Sequence, residues 1–349
     1  MIYNWQEQAW KMLASEHGGR SGGILLFGRK GIGKLDFAVE FARALLCENY
    51  SPPGTACGAC PSCHWMATAE HPDLRLIEPA AARSVEEEAE SGPDADEAPK
   101  PKGGAKDRKP SLYILIEQIR ALEELLYLTA QRGGAKVVLI HPAESLYPNS
   151  ANALLKILEE PPPATWFILV AHRPQHVLPT VRSRCRMIAM PAPDREVALR
   201  WLAQQQIDQP ELALALAGGA PLEALAMGEA DYQRERKRVL EQITAQRFDP
   251  LRAAEALADV APARVLDWLS KWTYDVVASK LLGRVRYHVD FAEAAARLAP
   301  ALPQLALTRY HRELLQWRRT VNHPLNARLF LEQQLLSYAA LTRTPPVSA

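Results

Sequence analysis

Four cysteines within a short stretch are the residues most able to do specific chemistry. Cys47, Cys57, Cys60 and Cys63 follow the spacing C-x9-C-x2-C-x2-C. In a chain whose N-terminus shows no export signal, such a cluster favours metal ligands over disulfides. Four thiolates match tetrahedral Zn²⁺ and leave no open coordination position, so the predicted site is structural. An iron–sulfur cluster and four free thiols are the alternatives.

A second motif lies just before the cysteines. The string GRKGIGKL, residues 28–35, fits the pattern G-x-x-x-x-G-K through Gly28, Gly33 and Lys34, with Gly31 inside the turn. Backbone N–H groups of such a loop hold phosphates, and a Ser or Thr after the lysine binds Mg²⁺. Leu35 stands at that position and has no oxygen. The motif predicts a degenerate nucleotide site, and a relic kept for its turn is the alternative.

The acidic partner of such a loop is also missing. An Asp-Glu pair is expected after a buried strand, where it binds Mg²⁺ and polarises water. The candidate strand, residues 137–140, is followed by His141 and Pro142. Proline is not a base, and Mg²⁺ prefers oxygen ligands. Two parts of the hydrolytic machinery are absent, so we predict no ATP hydrolysis and weak or absent ATP/Mg²⁺ binding.

Arginines are concentrated in the segment LPTVRSRCR, residues 178–186, which holds Arg182, Arg184 and Arg186. One interpretation is a basic turn. The other is an arginine finger, because a planar, always charged guanidinium suits the phosphate oxygens of a neighbouring subunit's nucleotide. Cys185 is predicted to be a small buried side chain.

The elements that position these residues alternate between strand and helix, which predicts a parallel sheet covered on both faces. The predicted strands are 24–27, 74–77, 136–140, 166–170 and 186–190. The predicted helices are 37–46, 114–128 and 149–160. Residues 86–111 contain no large apolar side chain and are predicted to be a disordered insert. After Pro191 only helical patterns occur.

Taken together, these motifs resemble a known family, the delta-prime subunits of the bacterial DNA polymerase III clamp loader, within the AAA+ superfamily. The resemblance covers most of the chain outside the polar insert. It is carried by residues 28–35, the cluster ending CGACPSC (57–63), NALLKILEEPP (152–162), Ser183-Arg184-Cys185, and HPLNARLFLEQQLL (323–336).

The resemblance implies three domains and a set of partners. Residues 1–191 would form a RecA-like AAA+ domain with the zinc module at 47–63. Residues 192–238 would form a helical lid, and residues 239–349 a helical collar. The collar would assemble with tau or gamma and delta subunits. The resulting hetero-pentamer would load the β sliding clamp onto primed DNA.

Departures from the family pattern indicate which role the subunit would play. The positions of Leu35, His141 and Pro142 would carry nucleotide-site residues in a motor subunit, and Leu222 stands where a lid arginine is expected. The triplet containing Arg184 is intact. The resemblance therefore implies a stator without catalytic activity of its own, in a DNA-directed DNA polymerase holoenzyme. Its Arg184 would complete a neighbour's ATP site.

Charge and hydropathy limit the competing functions. The 41 Lys and Arg residues balance 40 Asp and Glu residues, which does not favour a zinc-dependent DNA-binding protein. An active P-loop ATPase with unusual ligands is the other alternative. No apolar run approaches the ~18–20 residues that span a bilayer. The amphipathic N-terminus lacks a signal-peptide core, so we expect a cytoplasmic, replisome-associated protein.

Overall fold

The computed structural model describes residues 2–14, 22–82, 110–126, 130–131, 134–318 and 326–343. The chain divides into two compact units, Met1–Ala192 and Pro193–Ala349. Most of the predicted insert at 86–111 lies outside the described residues.

A parallel five-stranded sheet forms the centre of the first unit, with the strand order β2-β3-β4-β1-β5. The strands are β1 (Gly23–Phe27), β2 (Leu74–Ile77), β3 (Lys136–Ile140), β4 (Thr165–Ala171) and β5 (Cys185–Ala189). Because all strands point the same way, their C-terminal ends form one edge, here the carboxyl edge. Their N-terminal ends form the opposite, amino edge.

Burial explains why these segments are strands. All seven residues of β4 are buried, as expected for an inner strand covered on both faces. β5 pairs with β1, is the last strand in the sheet order and has exposed positions, as expected at the end of a sheet. The predicted α/β fold class is confirmed, and β5 starts one residue earlier than predicted.

Helices pack against the sheet and connect its strands. They are α1 (Glu7–Ala14), α2 (Lys34–Leu46), α3 (Pro61–Ala67), α4 (Ile116–Leu126), α5 (Pro148–Glu159) and α6 (Pro179–Arg182). Trp10 of α1 meets Phe37 and Phe41 of α2 edge to face, and Phe41 meets Trp166 of β4 in the same way. These aromatic contacts fix α2, and with it the turn that precedes it, against the sheet.

The second unit is helical in the residues that the structure describes. Its helices are α7 (Arg195–Gln204), α8 (Pro210–Leu216), α9 (Pro221–Gly228), α10 (Ala230–Thr244), α11 (Pro250–Ala256), α12 (Pro262–Leu282), α13 (Ala292–Leu298), α14 (Gln304–Trp317) and α15 (Ala327–Arg343). One apolar cluster joins α7–α9, and a larger one joins α10–α15. The predicted lid–collar boundary at 238 falls inside α10, and the three-domain division stays a prediction.

The basic start of α10 is neutralised by acidic partners. Arg236 is buried and bonds Asp290 at 2.6 Å. The other pairs are Arg234–Asp231, Lys237–Glu241 and Arg238–Asp259. Across the described chain, no single helix is long and apolar enough to cross a bilayer, and the bent pair α8–α9 passes by length and composition alone.

Candidate functional site

The predicted phosphate loop follows β1 at the carboxyl edge and ends where α2 begins. Gly31 and Gly33 have φ angles of 73° and 81°, a left-handed conformation that favours glycine. A Cβ at Gly28 would lie 2.3 Å from the Met190 carbonyl oxygen, so no side chain fits there. Lys34 is 3% exposed, and its Nζ donates to the Arg29 carbonyl. The backbone thus retains a compact turn closed by its own lysine.

The N-terminal segment clasps this turn. Gln6 Nε2 donates to the carbonyl oxygens of Ile32 and Gly33, at 3.0 and 2.7 Å. Trp5 Nε1 donates to the same Ile32 oxygen at 3.0 Å. The ring of Tyr3 stacks on the ring of Trp5 with centroids 4.8 Å apart. A Cβ at Gly33 would lie 2.4 Å from the Tyr3 ring. We name Tyr3, Trp5 and Gln6 the N-terminal clasp; sequence reasoning missed its role.

The acidic side chains at this edge have partners within the chain. Glu78, 3% exposed at the end of β2, lies 3.0 Å from Nδ1 of His141 at the end of β3. The Glu144 carboxylate accepts the backbone N–H of His172 at 3.0 and 3.1 Å and that of Arg173 at 3.2 Å. These carboxylates therefore fasten the loops of the carboxyl edge to one another.

His172 is a further residue of this edge that sequence reasoning did not single out. It directly follows β4, and its ring lies 5.3 Å from that of His141. Burial, reinforced by the positive charge of Lys34, lowers the pKa of His172 to about 3. The ring is therefore neutral at physiological pH. A polar residue immediately after a fully buried strand was the sequence signal that could have identified it.

The four cysteines converge at the far end of α2. Cys47 caps that helix, Cys60 and Cys63 belong to the start of α3, and Cys57 comes from the loop between them. All four Sγ atoms lie within 4.8 Å of one another, with 4.0 Å between Cys47 and Cys60 and 3.9 Å between Cys57 and Cys63. Sulfurs placed tetrahedrally ~2.3 Å from Zn²⁺ would be ~3.8 Å apart. The cluster thus has the spacing of a metal site.

Backbone donors lower the pKa of one thiol of the cluster, whereas burial raises the pKa of two others. N–H groups of Ala59 and Cys60 lower the pKa of the Cys57 thiol to about 6, the latter through a 3.4 Å bond. Burial raises the pKa of Cys63 to about 12 and also raises that of Cys47. A metal ion would supply the charge that buried thiolates require. The four side chains could therefore hold a metal.

Arg184 lies at the opposite, amino edge, between α6 and β5. Its Nε donates to Glu159 Oε1 at 2.7 Å, and its Nη2 donates to the same oxygen. Its Nη1 donates to the Thr180 carbonyl at 3.0 Å. The arginine side chain is 34% exposed, so the guanidinium is oriented and still reaches the surface.

The sheet register separates Arg184 from the phosphate loop of the same chain. Cys185 pairs with Gly23 at the start of β1, and the loop starts at Gly28. Five residues of strand span ~16 Å at ~3.3 Å per residue. This separation exceeds the length of an arginine side chain, so Arg184 and Lys34 belong to different surfaces.

The other predicted positions are the neighbours of Arg184 in sequence and Leu222 in the second unit. Arg182 donates to the Pro174 carbonyl at 3.4 Å, and Arg186 is exposed within β5. Cys185 is buried, which raises the pKa of its thiol to about 12. Leu222 is half-buried in α9.

Comparison with known proteins gives matches along the chain. A family model described as "DNA polymerase III, delta subunit" matches residues 5–194, and "DNA polymerase III, delta subunit, C terminal" matches residues 230–339. The subunit delta' of DNA polymerase III from Pseudomonas aeruginosa is 34% identical over 97% of this chain and 98% of the relative. The Escherichia coli K12 protein of the same name is 31% identical over 85% of this chain and 83% of the relative.

A solved structure gives a weaker match. A gamma subunit-related protein of DNA polymerase III from Thermotoga maritima is 17% identical, with a TM-score of 0.42, and covers 97% of this chain and 100% of that one. A likeness at that level carries no functional information.

Proposed function

The chain belongs to the DNA polymerase III subunit delta' family, and we propose that it is the non-hydrolysing stator of a clamp loader. In this role it joins tau or gamma and delta subunits, and the assembly places the β sliding clamp on primed DNA. The carrying observation is the separation of the two edges. At the carboxyl edge, Leu35, His141 and Pro142 stand where a nucleotide-activating site needs a hydroxyl and carboxylates, whereas the amino edge presents Arg184.

The state of the carboxyl edge supports the absence of hydrolysis. Leu35 supplies no hydroxyl for Mg²⁺, and His141 and Pro142 supply no carboxylate. Glu78 and Glu144, acidic side chains of this edge, bond within the chain. Gly28, Gly31, Gly33 and Lys34 then serve the turn, and any nucleotide held there would stay intact.

The proposed role of Arg184 is to act on a neighbouring subunit's nucleotide. The guanidinium is partly exposed, permanently charged and planar, and these properties suit contact with phosphate oxygens. Its location at the edge away from the chain's own loop supports action between subunits. In other phosphoryl-transfer systems such a finger is worth roughly 10³–10⁵ in rate.

The proposed cofactor is one structural Zn²⁺ held by Cys47, Cys57, Cys60 and Cys63. Sγ separations of 3.9 and 4.0 Å support tetrahedral four-sulfur coordination, which Zn²⁺ favours. With four protein ligands, no position is left for substrate. The metal would tie the end of α2 to α3.

A cytoplasmic, replisome-associated location and the three-domain division belong to the same proposal.

An arginine substitution series in the reconstituted assembly tests the stator role. Arg184→Ala should leave folding and assembly intact, while DNA- and clamp-stimulated ATP turnover is lost at one site. Arg184→Lys should rescue it incompletely, because lysine lacks the planar fork. Arg182→Ala is the matched control and should retain turnover.

Two results would contradict the proposal. Normal clamp loading by an assembly carrying Arg184→Ala would exclude the finger. ATP turnover by the isolated chain that disappears in Lys34→Ala would instead favour an active ATPase.

A further inference from the structure

We propose that Glu159 is the positioning residue for Arg184, holding its guanidinium in the orientation in which it meets a neighbour's triphosphate. The inference rests on the proposed finger function and extends it to the preceding helix. Glu159 is the last residue of α5, and Arg184 lies 25 positions further along the chain. The sheet brings the two together at the amino edge.

The contacts leave the guanidinium little rotational freedom. Glu159 takes the Nε and Nη2 donors along one side of the planar group. The Thr180 carbonyl takes Nη1 at 3.0 Å. Nη1 also donates to Ser183 Oγ at 3.4 Å. A guanidinium has five N–H donors, so these four bonds fix its plane and leave one N–H group, on Nη2, for another acceptor. A phosphate oxygen is a strong acceptor for such a charged donor.

The placement of Glu159 is unfavourable by itself. The C-terminus of a helix carries partial negative charge, so a carboxylate there is destabilising unless a cation lies close. Glu159 and Glu160 both occupy the end of α5. The Glu159 side chain is 51% exposed, and ion pairs between exposed side chains contribute little to stability. A positioning role accounts for this carboxylate better than a stabilising one.

Orientation before contact should improve the finger's action. An arginine side chain loses rotamer freedom when it docks, and a partner that has already fixed it removes much of that loss. Removing such a partner should weaken the finger's effect roughly 2- to 10-fold. The electrostatic alternative predicts the opposite sign, since a carboxylate near a triphosphate repels it. The direction of the change therefore decides between the two.

The test uses the reconstituted assembly with ATP, primed DNA and clamp. Glu159→Ala should lower stimulated turnover at the site that Arg184 serves by roughly 2- to 10-fold, with the ATP concentration for half-maximal rate little changed. Glu159→Gln keeps one acceptor oxygen and should fall between Ala and the native chain. Glu160→Ala is the matched control, because Glu160 makes no ion pair with any residue that the structure describes. Unchanged or faster turnover in Glu159→Ala would overturn the inference.

Two further measurements separate this inference from the finger itself. Arg184→Ala and the double variant with Glu159→Ala should have the same turnover, because a positioning residue acts only through its partner. In the isolated chain, Glu159→Ala should speed the modification of Arg184 by phenylglyoxal, read by peptide mass, with Arg182 as internal reference. If turnover is lost in Arg184→Ala but not in Glu159→Ala, only the positioning role is contradicted. Native turnover in Arg184→Ala would contradict the proposed function. If, in addition, Glu159→Ala left the reactivity of Arg184 toward phenylglyoxal unchanged, the positioning role would be contradicted as well.

Discussion

At the carboxyl edge of the sheet, the phosphate loop is held by side chains of its own chain, whereas at the amino edge a charged side chain is held in an ion pair and stays partly exposed. Gln6 bonds the carbonyls of Ile32 and Gly33 from outside the loop. At the other edge, Glu159 bonds Arg184, which stays partly exposed. We call the carboxyl edge the closed edge, because its loop is bonded by side chains of its own chain, and the amino edge the open edge, because its arginine is partly exposed.

The residues on which the loop's shape depends are separate from those on which its chemistry would depend. Gly28 and Gly33 leave no room for a Cβ, so packing alone accounts for their presence. Leu35 and His141 supply neither a hydroxyl nor a carboxylate to this edge. The survival of a phosphate-loop motif in this chain is therefore poor evidence for hydrolysis.

Loss of a cysteine ligand should have the largest effect on the structure near the closed edge, because α2 runs from the phosphate loop to the cysteine cluster. Cys60→Ser should reduce bound zinc from one per chain to none, with a loss of affinity above the ~10–100-fold that outer-shell partners are worth. Elemental analysis and hydrogen exchange across residues 28–63 measure this. Exchange near Arg184 should stay unchanged.

The control for the metal is Cys185→Ala, which removes a buried thiol far from the cluster in sequence and should retain the zinc. Iron in place of zinc would show the metal assignment to be wrong, and full metal content in Cys60→Ser would show the ligand assignment to be wrong.

The clasp of the closed edge should give the next effect. Gln6→Ala removes two buried hydrogen bonds, while Trp5 still donates to the Ile32 carbonyl and the Phe37 N–H to the Gly33 carbonyl. Each lost bond should therefore cost about 0.5–1.5 kcal/mol. Denaturant unfolding of the chain checks this, with Gln8→Ala as the exposed control on the same segment. Equal stability of the two variants would mean that the clasp does not hold the loop.

A pH titration should give the smallest effect and sharpen the electrostatics of the closed edge. Burial and the charge of Lys34 lower the pKa of His172 to about 3, below its ordinary value of 6.5. Between pH 3 and pH 6.5, His172 binds a proton in the unfolded chain but not in the folded chain. Stability from this group is therefore complete above pH 6.5 and is lost as the pH falls toward 3.

The variant that isolates the charge is Lys34→Met. The pKa of His172 should rise in it but stay below 6.5, because burial is the larger cause. Titration of the ring by NMR measures both chains. An unchanged pKa would show that the ammonium of Lys34 does not act on this edge.

Much of the fold was predictable because buried parallel strands are continuous apolar runs. β2 and β3 match the predicted residues 74–77 and 136–140. The helix predicted over 114–128 begins at Ile116 instead. Its predicted first residue, Ile114, donates its backbone N–H to the Ser145 carbonyl, a pairing that helical periodicity does not reveal.

The candidate site was predictable where its residues are neighbours in sequence and not where they meet through the fold. The cysteine spacing predicted a cluster whose sulfurs do converge. The bonds from Gln6 to Gly33 and from Arg184 to Glu159 join residues 27 and 25 positions apart. Which of many polar side chains meet at such distances depends on the strand order, which no local pattern specifies.

The most direct test of the central claim compares the two edges in one assembly. ATP turnover is measured with primed DNA and clamp for Lys34→Met and Arg184→Ala, each chain first shown to assemble. We predict that Lys34→Met retains the native rate within about twofold, whereas Arg184→Ala silences one site, by roughly 10³–10⁵ at that site. Loss of turnover in Lys34→Met together with a native rate in Arg184→Ala would contradict the account.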